Sequence, residues 1–272
     1  MDFKSIYKTA LLLFVFSFVA CEEVVDLDLE TAEPRLVVDA AIAWEKETDG
    51  ATQSIILSTT TDYFADEIPP VSDATVFVTN SQGTQFDFIE EPGTGNYICN
   101  NFVPELYETY TLTVIVDSET YTATEQLIPV PEITRIEQDN EGGFFGEDIE
   151  VRFFFNDNGD QDNFYLTKFE VDFLLFPEYY VFDDRFSQGN EMNEIFTDED
   201  LAQGDELNMS LSGISEQFYS YMGLILESTS GNPFNVPPSN IRGNIINETN
   251  EDNYAMGYFR LSEVSSRVYV VE

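Results

Sequence analysis

From Pro34 to Ile128 the chain alternates apolar and polar residues with period two, the signature of half-buried strands. In PRLVVDAAIAW, Leu36, Val38, Ala40, Ile42 and Trp44 fall on one face. The same pattern predicts strands over 53–60, 73–80, 84–90, 95–102, 109–117 and 120–128. Val, Ile, Thr, Phe and Tyr fill these runs, as β structure favours. Ser81-Gln82-Gly83 joins two of them, with Gly83 supplying a positive φ. Seven short strands separated by turn signals read as a β-sandwich of the immunoglobulin or transthyretin type.

Pro129 and Pro131 cannot donate to a ladder, so IPVPEI marks a domain joint. Beyond it, IEVRFFF (149–155) and NFYLTKFEVDFLLF (163–176) predict two long strands paired around the turn NDNGDQD. Residues 179–207 are acidic, aromatic and weakly periodic, as in loops and short strands. The period changes in SEQFYSYMGLILES (215–228). There Phe218, Tyr221, Met222, Ile225 and Leu226 lie on one helical face, with Ser215 as N-cap. GNPFNVPPSN forbids regular structure, and MGYFRLSEV and SRVYVVE close the chain as strands. The expected class is mainly β. A sandwich domain spans 34–130, and a second β-rich domain with one amphipathic helix spans 131–272.

The first twenty residues belong to neither domain. Lys4 and Lys8 precede an apolar run, ALLLFVFSFVA, of eleven residues ending at Ala20. A helix of that length covers roughly 16 Å, against a hydrocarbon core of about 30 Å. The run is too short to span. A basic start, short apolar core and small residue make a secretory signal over 1–20. Cys21 follows at once, and Phe18-Val19-Ala20-Cys21 resembles a bacterial lipobox, with Phe18 in place of the usual Leu. The expected product is a mature N-terminus at Cys21 carrying covalent lipid, which anchors the chain in a membrane. Glu22 and Glu23 resemble the surface-export signal of Bacteroidota lipoproteins, and 21–33 reads as an acidic tether. With Cys21 acylated, Cys99 has no partner for a disulfide.

Charge narrows the function classes. The 272 residues include 52 acids and 11 bases, a net of −41. Such a surface repels nucleic acid and anionic headgroups, so lipid rather than charge must hold the chain at a membrane. There is no histidine. Ser-His-Asp and Cys-His catalysis and His-ligated metal sites are thereby excluded. Carboxylate pairs that could cleave glycosides arise by chance among so many acids, so no enzyme is expected.

Two clusters remain as candidate sites. Asp157, Asn158, Asp160 and Asp162 surround Gly159, and closely spaced oxygens in a Gly-bent loop can take calcium. The EF-hand order and its terminal Glu are missing, so a polar hairpin is the plainer reading. Tyr179, Tyr180 and Phe186 lie in an aromatic-rich stretch and are candidates for contact with cargo or a partner, provided their rings are exposed.

A series of short motifs then points to a family. Cys21-Glu-Glu-Val-Val-Asp-Leu-Asp, Pro34-Arg-Leu-Val-Val-Asp, Asp73-Ala-Thr-Val, Gly95-Asn-Tyr, Thr109-Tyr-Thr-Leu, Gly231-Asn-Pro-Phe, Pro237-Pro-Ser-Asn-Ile and Gly257-Tyr-Phe-Arg occur in this order. Together they resemble the Bacteroidota lipoproteins of the domain-of-unknown-function 4249 family. One departure is Glu105-Leu106-Tyr107-Glu108, where the family pattern leads one to expect a glycine before the Tyr-x-Leu strand. The resemblance implies a surface-facing outer-membrane lipoprotein that captures cargo as accessory partner of a TonB-dependent transporter. The alternatives are a stand-alone adhesin or structural β protein and, further off, a carboxylate-based glycan hydrolase.

Overall fold

The computed structural model describes residues 33–62, 65, 67–229 and 240–272. Cys21, Glu22, Glu23 and the segment 231–239 lie outside these. Pro34–Glu272 forms one compact unit.

The first half contributes seven strands: β1 (Leu36–Glu45), β2 (Gln53–Thr59), β3 (Thr75–Asn80), β4 (Gln85–Glu90), β5 (Asn96–Cys99), β6 (Thr109–Val116) and β7 (Glu119–Ile128). The second half adds β8 (Ile133–Gly142), β9 (Asp148–Asn156), β10 (Phe164–Glu170), β11 (Glu178–Asp183), β12 (Glu191–Thr197) and β13 (Glu206–Ile214). Helix α1 (Glu216–Thr229) follows, then β14 (Ile246–Asn247) and the long β15 (Met256–Val270). The protein is mainly β, with one helix among the described residues.

The N-terminal half is not a plain sandwich. Strands β15, β1, β2, β5, β4, β3, β6 and β7 are hydrogen-bonded in that order, and β7 returns to β15 at Leu127 and Ile128. Eight strands therefore close into a barrel-like ring. The reason lies at the C-terminus. β15 runs parallel to β1 from Met256 to Val264 and fills the gap between β1 and β7 that would otherwise leave two open edges. Alternate residues point inward, among them Val38, Ala40 and Ile42 of β1, Tyr110, Leu112 and Val114 of β6, and Phe259 and Leu261 of β15. Cys99 is buried in this core as a free thiol, and burial pushes it above its ordinary pKa.

The ring hands over to the second half along one edge of β15. β7 stops at Ile128, before Pro129. From Val264 onward the vacated edge is taken by β13, which pairs as far as Glu206↔Val270. Glu263 covers the junction: its carboxylate accepts from the Val130 amide at 2.9 Å and pairs with Lys46 at 2.8 Å. The sheet continues outward through β10 to β11. A separate sheet, β12-β9-β8, packs across from it.

β9 and β10 are thus not paired around the Asn156–Asn163 connection, contrary to the expectation for NDNGDQD. They belong to opposed sheets. Both carry inward aromatic faces, whose rings meet across the layer instead of lying side by side: Phe155 edge-on to Tyr165 at 5.2 Å and Phe153 tilted against Phe169 at 5.9 Å between ring centres. Phe196 of β12 joins them at 5.2 Å from Phe169. The expected strand 163–176 also ends early, because Val171–Pro177 turns the chain into β11.

α1 lies on the opposite face of β10, β13 and β15. Ser215 caps it as expected, its Oγ accepting from the Phe218 amide at 3.2 Å. Phe218 is buried against Tyr258, Leu166 and Ile214, with Tyr221 and Met222 packed beside it.

Candidate functional site

α1 covers only one end of this sheet face. It rests over Phe164 and Leu166, Ile214 and Tyr258, at the start of β10, the end of β13 and the start of β15. Beyond it the same face is an open groove of about 330 Å³. Outward-pointing residues of five strands line it: Ala43 and Glu45 of β1, Leu166, Lys168 and Glu170 of β10, and Tyr179 of β11. Asn208, Met209, Ser210 and Ser212 of β13 and Arg260, Val264 and Ser266 of β15 complete it, with Arg267 and Val268 at its end. A second hollow of about 320 Å³ adjoins it, sharing Glu170 and Asn208 and reaching Leu174 and Leu175 in the β10–β11 turn.

The lining is unusual for so acidic a chain. Only nine of the bases lie beyond residue 20, and Lys168, Arg260 and Arg267 are at this groove. Two of the three are neutralised. Lys168 pairs with Glu170 at 2.7 Å, and Arg267 pairs with Glu132 at 2.6 Å. Glu45 accepts from the Ser266 amide at 3.0 Å and from its hydroxyl at 2.7 Å. Arg260 differs. Its guanidinium donates from Nη1 to Ser262 Oγ at 3.1 Å and lies 5.3 Å from the centre of the Phe218 ring. Among the described residues no carboxylate comes within ion-pair reach of it. Burial lowers its pKa below the ordinary guanidinium value, while Asp39 on β1 opposes that shift through space. The groove thus offers one unpaired cation, a row of hydroxyls and a side-chain amide.

A family model described as "Domain of unknown function (DUF4249)" matches residues 22–267. The chain belongs to this family. No curated protein matches it at a significant level. Among solved structures, the DUF4249 chain is similar to a segment of two fibronectin type-III domains from chicken tenascin. Identity is 13%, coverage 66% of this chain and 90% of that one, and the TM-score 0.22. The FN1-FN3 domains of chicken CNTN1 match at 10% identity, covering 60% of this chain and 56% of that one, with TM-score 0.20. A DUF4785 family protein from Legionella pneumophila matches at 8% identity, covering 65% and 52%, with TM-score 0.26. The DUF4249 chain thus spans only about half the length of the last two. At these scores the strand pairings, not the likenesses, define the architecture.

The residues singled out in the sequence fall in several places. Tyr179 packs beneath α1 and lines the groove. Tyr180, its neighbour on β11, points to the other face, where its ring meets Phe169 and its hydroxyl donates to Glu178 at 2.8 Å. Phe186 is 99% exposed, past the far end of β11. The three do not form one surface. The larger exposed apolar groups sit at the opposite end of this half: Phe144 and Phe145 in the β8–β9 turn, and Leu175 and Phe176 in the β10–β11 turn.

The four residues considered for calcium have protein partners of their own. Asp157 is buried, accepting from Tyr165 Oη at 2.5 Å and from the Gly189 amide at 2.7 Å. Asn158 accepts from the Asp160 amide, and Asp162 from Gln188. Among the described residues, no three or more Asp, Glu or Cys side chains are gathered so as to hold a metal ion. Cys21, Glu22 and Glu23 lie outside the described residues. Among those described, no helix is long and apolar enough to cross a membrane.

In the sequence nothing singled out Arg260. It is the base within the apolar run of Gly257-Tyr-Phe-Arg-Leu, inside one of the motifs that carry the family resemblance. The pattern gave no hint that β1, β10 and β13 would assemble around it.

Proposed function

We propose that this DUF4249 chain is a lipid-anchored, surface-facing outer-membrane protein that binds cargo as the accessory partner of a TonB-dependent transporter. The observation that carries the cargo-binding part is the groove: a five-strand hollow of mixed polar and apolar lining, holding an unpaired arginine in a chain of net charge −41. The anchor rests on the basic, apolar, Ala20-Cys21 order at the start of the chain, and the family match begins at residue 22, directly after that cysteine. The reading is of a binding protein, not an enzyme.

The test has two parts. Cys21→Ser should abolish incorporation of labelled palmitate and release the chain from membranes. Affinity purification of the intact protein in mild detergent should bring down a transporter barrel. A chain that emerges alone, and whose deletion leaves uptake unchanged, would sink the partnership.

The stand-alone adhesin is favoured by one observation, the exposed Phe144, Phe145, Leu175 and Phe176 at the turns of the second half. Loss of cell attachment on replacing these four with serine, with no barrel co-purifying, would select it.

A further inference from the structure

We infer that the groove over β10, β13 and β15 binds a small polar ligand through its carboxylate, with Arg260 as the anchor. The inference takes its biological sense from the cargo-binding reading but stands on the chemistry of the groove.

Holding a half-buried guanidinium without a carboxylate is unfavourable. A chain with 52 acids could pair every base many times over. Lys168 and Arg267 at the same groove are paired; Arg260 is not. Of the five donors on its fork, one is engaged by a protein acceptor, Ser262 Oγ. The planar fork matches a carboxylate with two parallel hydrogen bonds. Phe218 fixes one side of the guanidinium, so the fork is held before any ligand arrives.

The rest of the lining selects among carboxylates. Ser210, Ser212 and Asn208 supply hydroxyl and amide groups, and Tyr179 supplies one aromatic wall. These groups can hydrogen-bond a ligand that carries hydroxyls or amides beside its carboxylate, while Leu166 and Val264 meet its apolar faces. Its volume of about 330 Å³ lies at the small end of ligand pockets. Two ligand sources share this chemistry: a uronic acid, and the terminal carboxylate of a short peptide.

Calorimetry on the intact protein in detergent separates them. The probes are D-galacturonate with D-galactose as its neutral control, and N-acetyl-alanyl-alanine with its amide. The expected result is that one carboxylate binds while its neutral control does not. Arg260→Met should weaken that binding about tenfold or more. Raising salt from about 0.05 to about 0.5 M should weaken it further. Binding of galacturonate assigns the site to acidic sugars, and binding of the dipeptide acid assigns it to peptide termini. Should Arg260→Met fail to fold, the acid-against-neutral comparison on the unaltered protein still decides. The inference is overturned if neither acid binds at about 10 mM, well above any useful affinity, or if a folded Arg260→Met variant binds undiminished. Neither outcome bears on whether a barrel co-purifies, so the two readings fail separately.

Discussion

Gly213 lies directly against the carbonyl of Pro129: a Cβ at Gly213 would stand 2.1 Å from that oxygen. This contact sits where β7 leaves the edge of β15 and β13 takes it over. The two halves approach closely there because position 213 carries no side chain.

Gly213→Ala should therefore destabilise the protein by about 1–3 kcal/mol, in the range of overpacked sites. Chemical denaturation with fluorescence would read this. An unchanged midpoint would show that the junction is loose.

Tyr107 offers the opposite case. It adopts φ 64 in the turn before β6, the left-handed region that costs a side-chain-bearing residue about 1–2 kcal/mol. This is the stretch where the family pattern led to the expectation of glycine. The turn forms regardless, because the Tyr107 amide donates to Leu127 O at 2.9 Å and its carbonyl accepts from Gln126 at 2.6 Å. Tyr107→Gly should stabilise by about 1 kcal/mol, since the side chain is half exposed and loses little packing. A lower melting temperature would refute it.

Glu194 on β12 has no hydrogen-bond or ion-pair partner among the described residues, and burial pushes it up to about 7 from an ordinary 4.5. As pH rises through this window the unfolded chain ionises first, while the folded chain keeps its proton. The stability associated with Glu194 is therefore present at pH 4.5 and below, and is lost as pH approaches 7. Glu194→Gln should flatten the fall in stability across that range, which is expected to be about 1–2 kcal/mol after allowance for partial exposure. Denaturation midpoints at intervals from pH 4.5 to 8 would show it. Parallel curves for the two proteins would refute the assignment.

Ser215 has two roles, capping α1 and donating from Oγ to Glu125 at 3.0 Å. Ser215→Ala should cost about 1 kcal/mol. It should also raise the Glu125 pKa further, because that carboxylate is already above its ordinary value through burial and loses one of the donors that hold it down. An infrared titration of Glu125 would separate the second effect from the first.

Most strands of the ring were legible because one face of each is buried and the other is not. β6 shows this plainly, with Tyr110, Leu112 and Val114 in the core and Thr111 and Thr113 outside it. β8 was not legible: between Ile133 and Gly142 no residue is fully buried, so no apolar alternation marks it. Pairing was legible only across short turns such as Ser81-Gln82-Gly83, where Gly83 has φ 84 as expected. Periodicity states which face of β15 is apolar but not which strands it will join, and the ring and the groove both depend on that choice. Of the groove's residues only Tyr179 was singled out in the sequence; Arg260, Lys168, Ser210 and Ser212 were not.

β15 also fixes an order of events. Its pairing with β1 joins segments about two hundred residues apart, and such distant pairings form slowly. Until the last strand arrives, β1 and β7 present bare backbone edges that invite pairing with other chains. Chaperones that shield strand edges until β15 pairs then become part of the physical requirements of this fold.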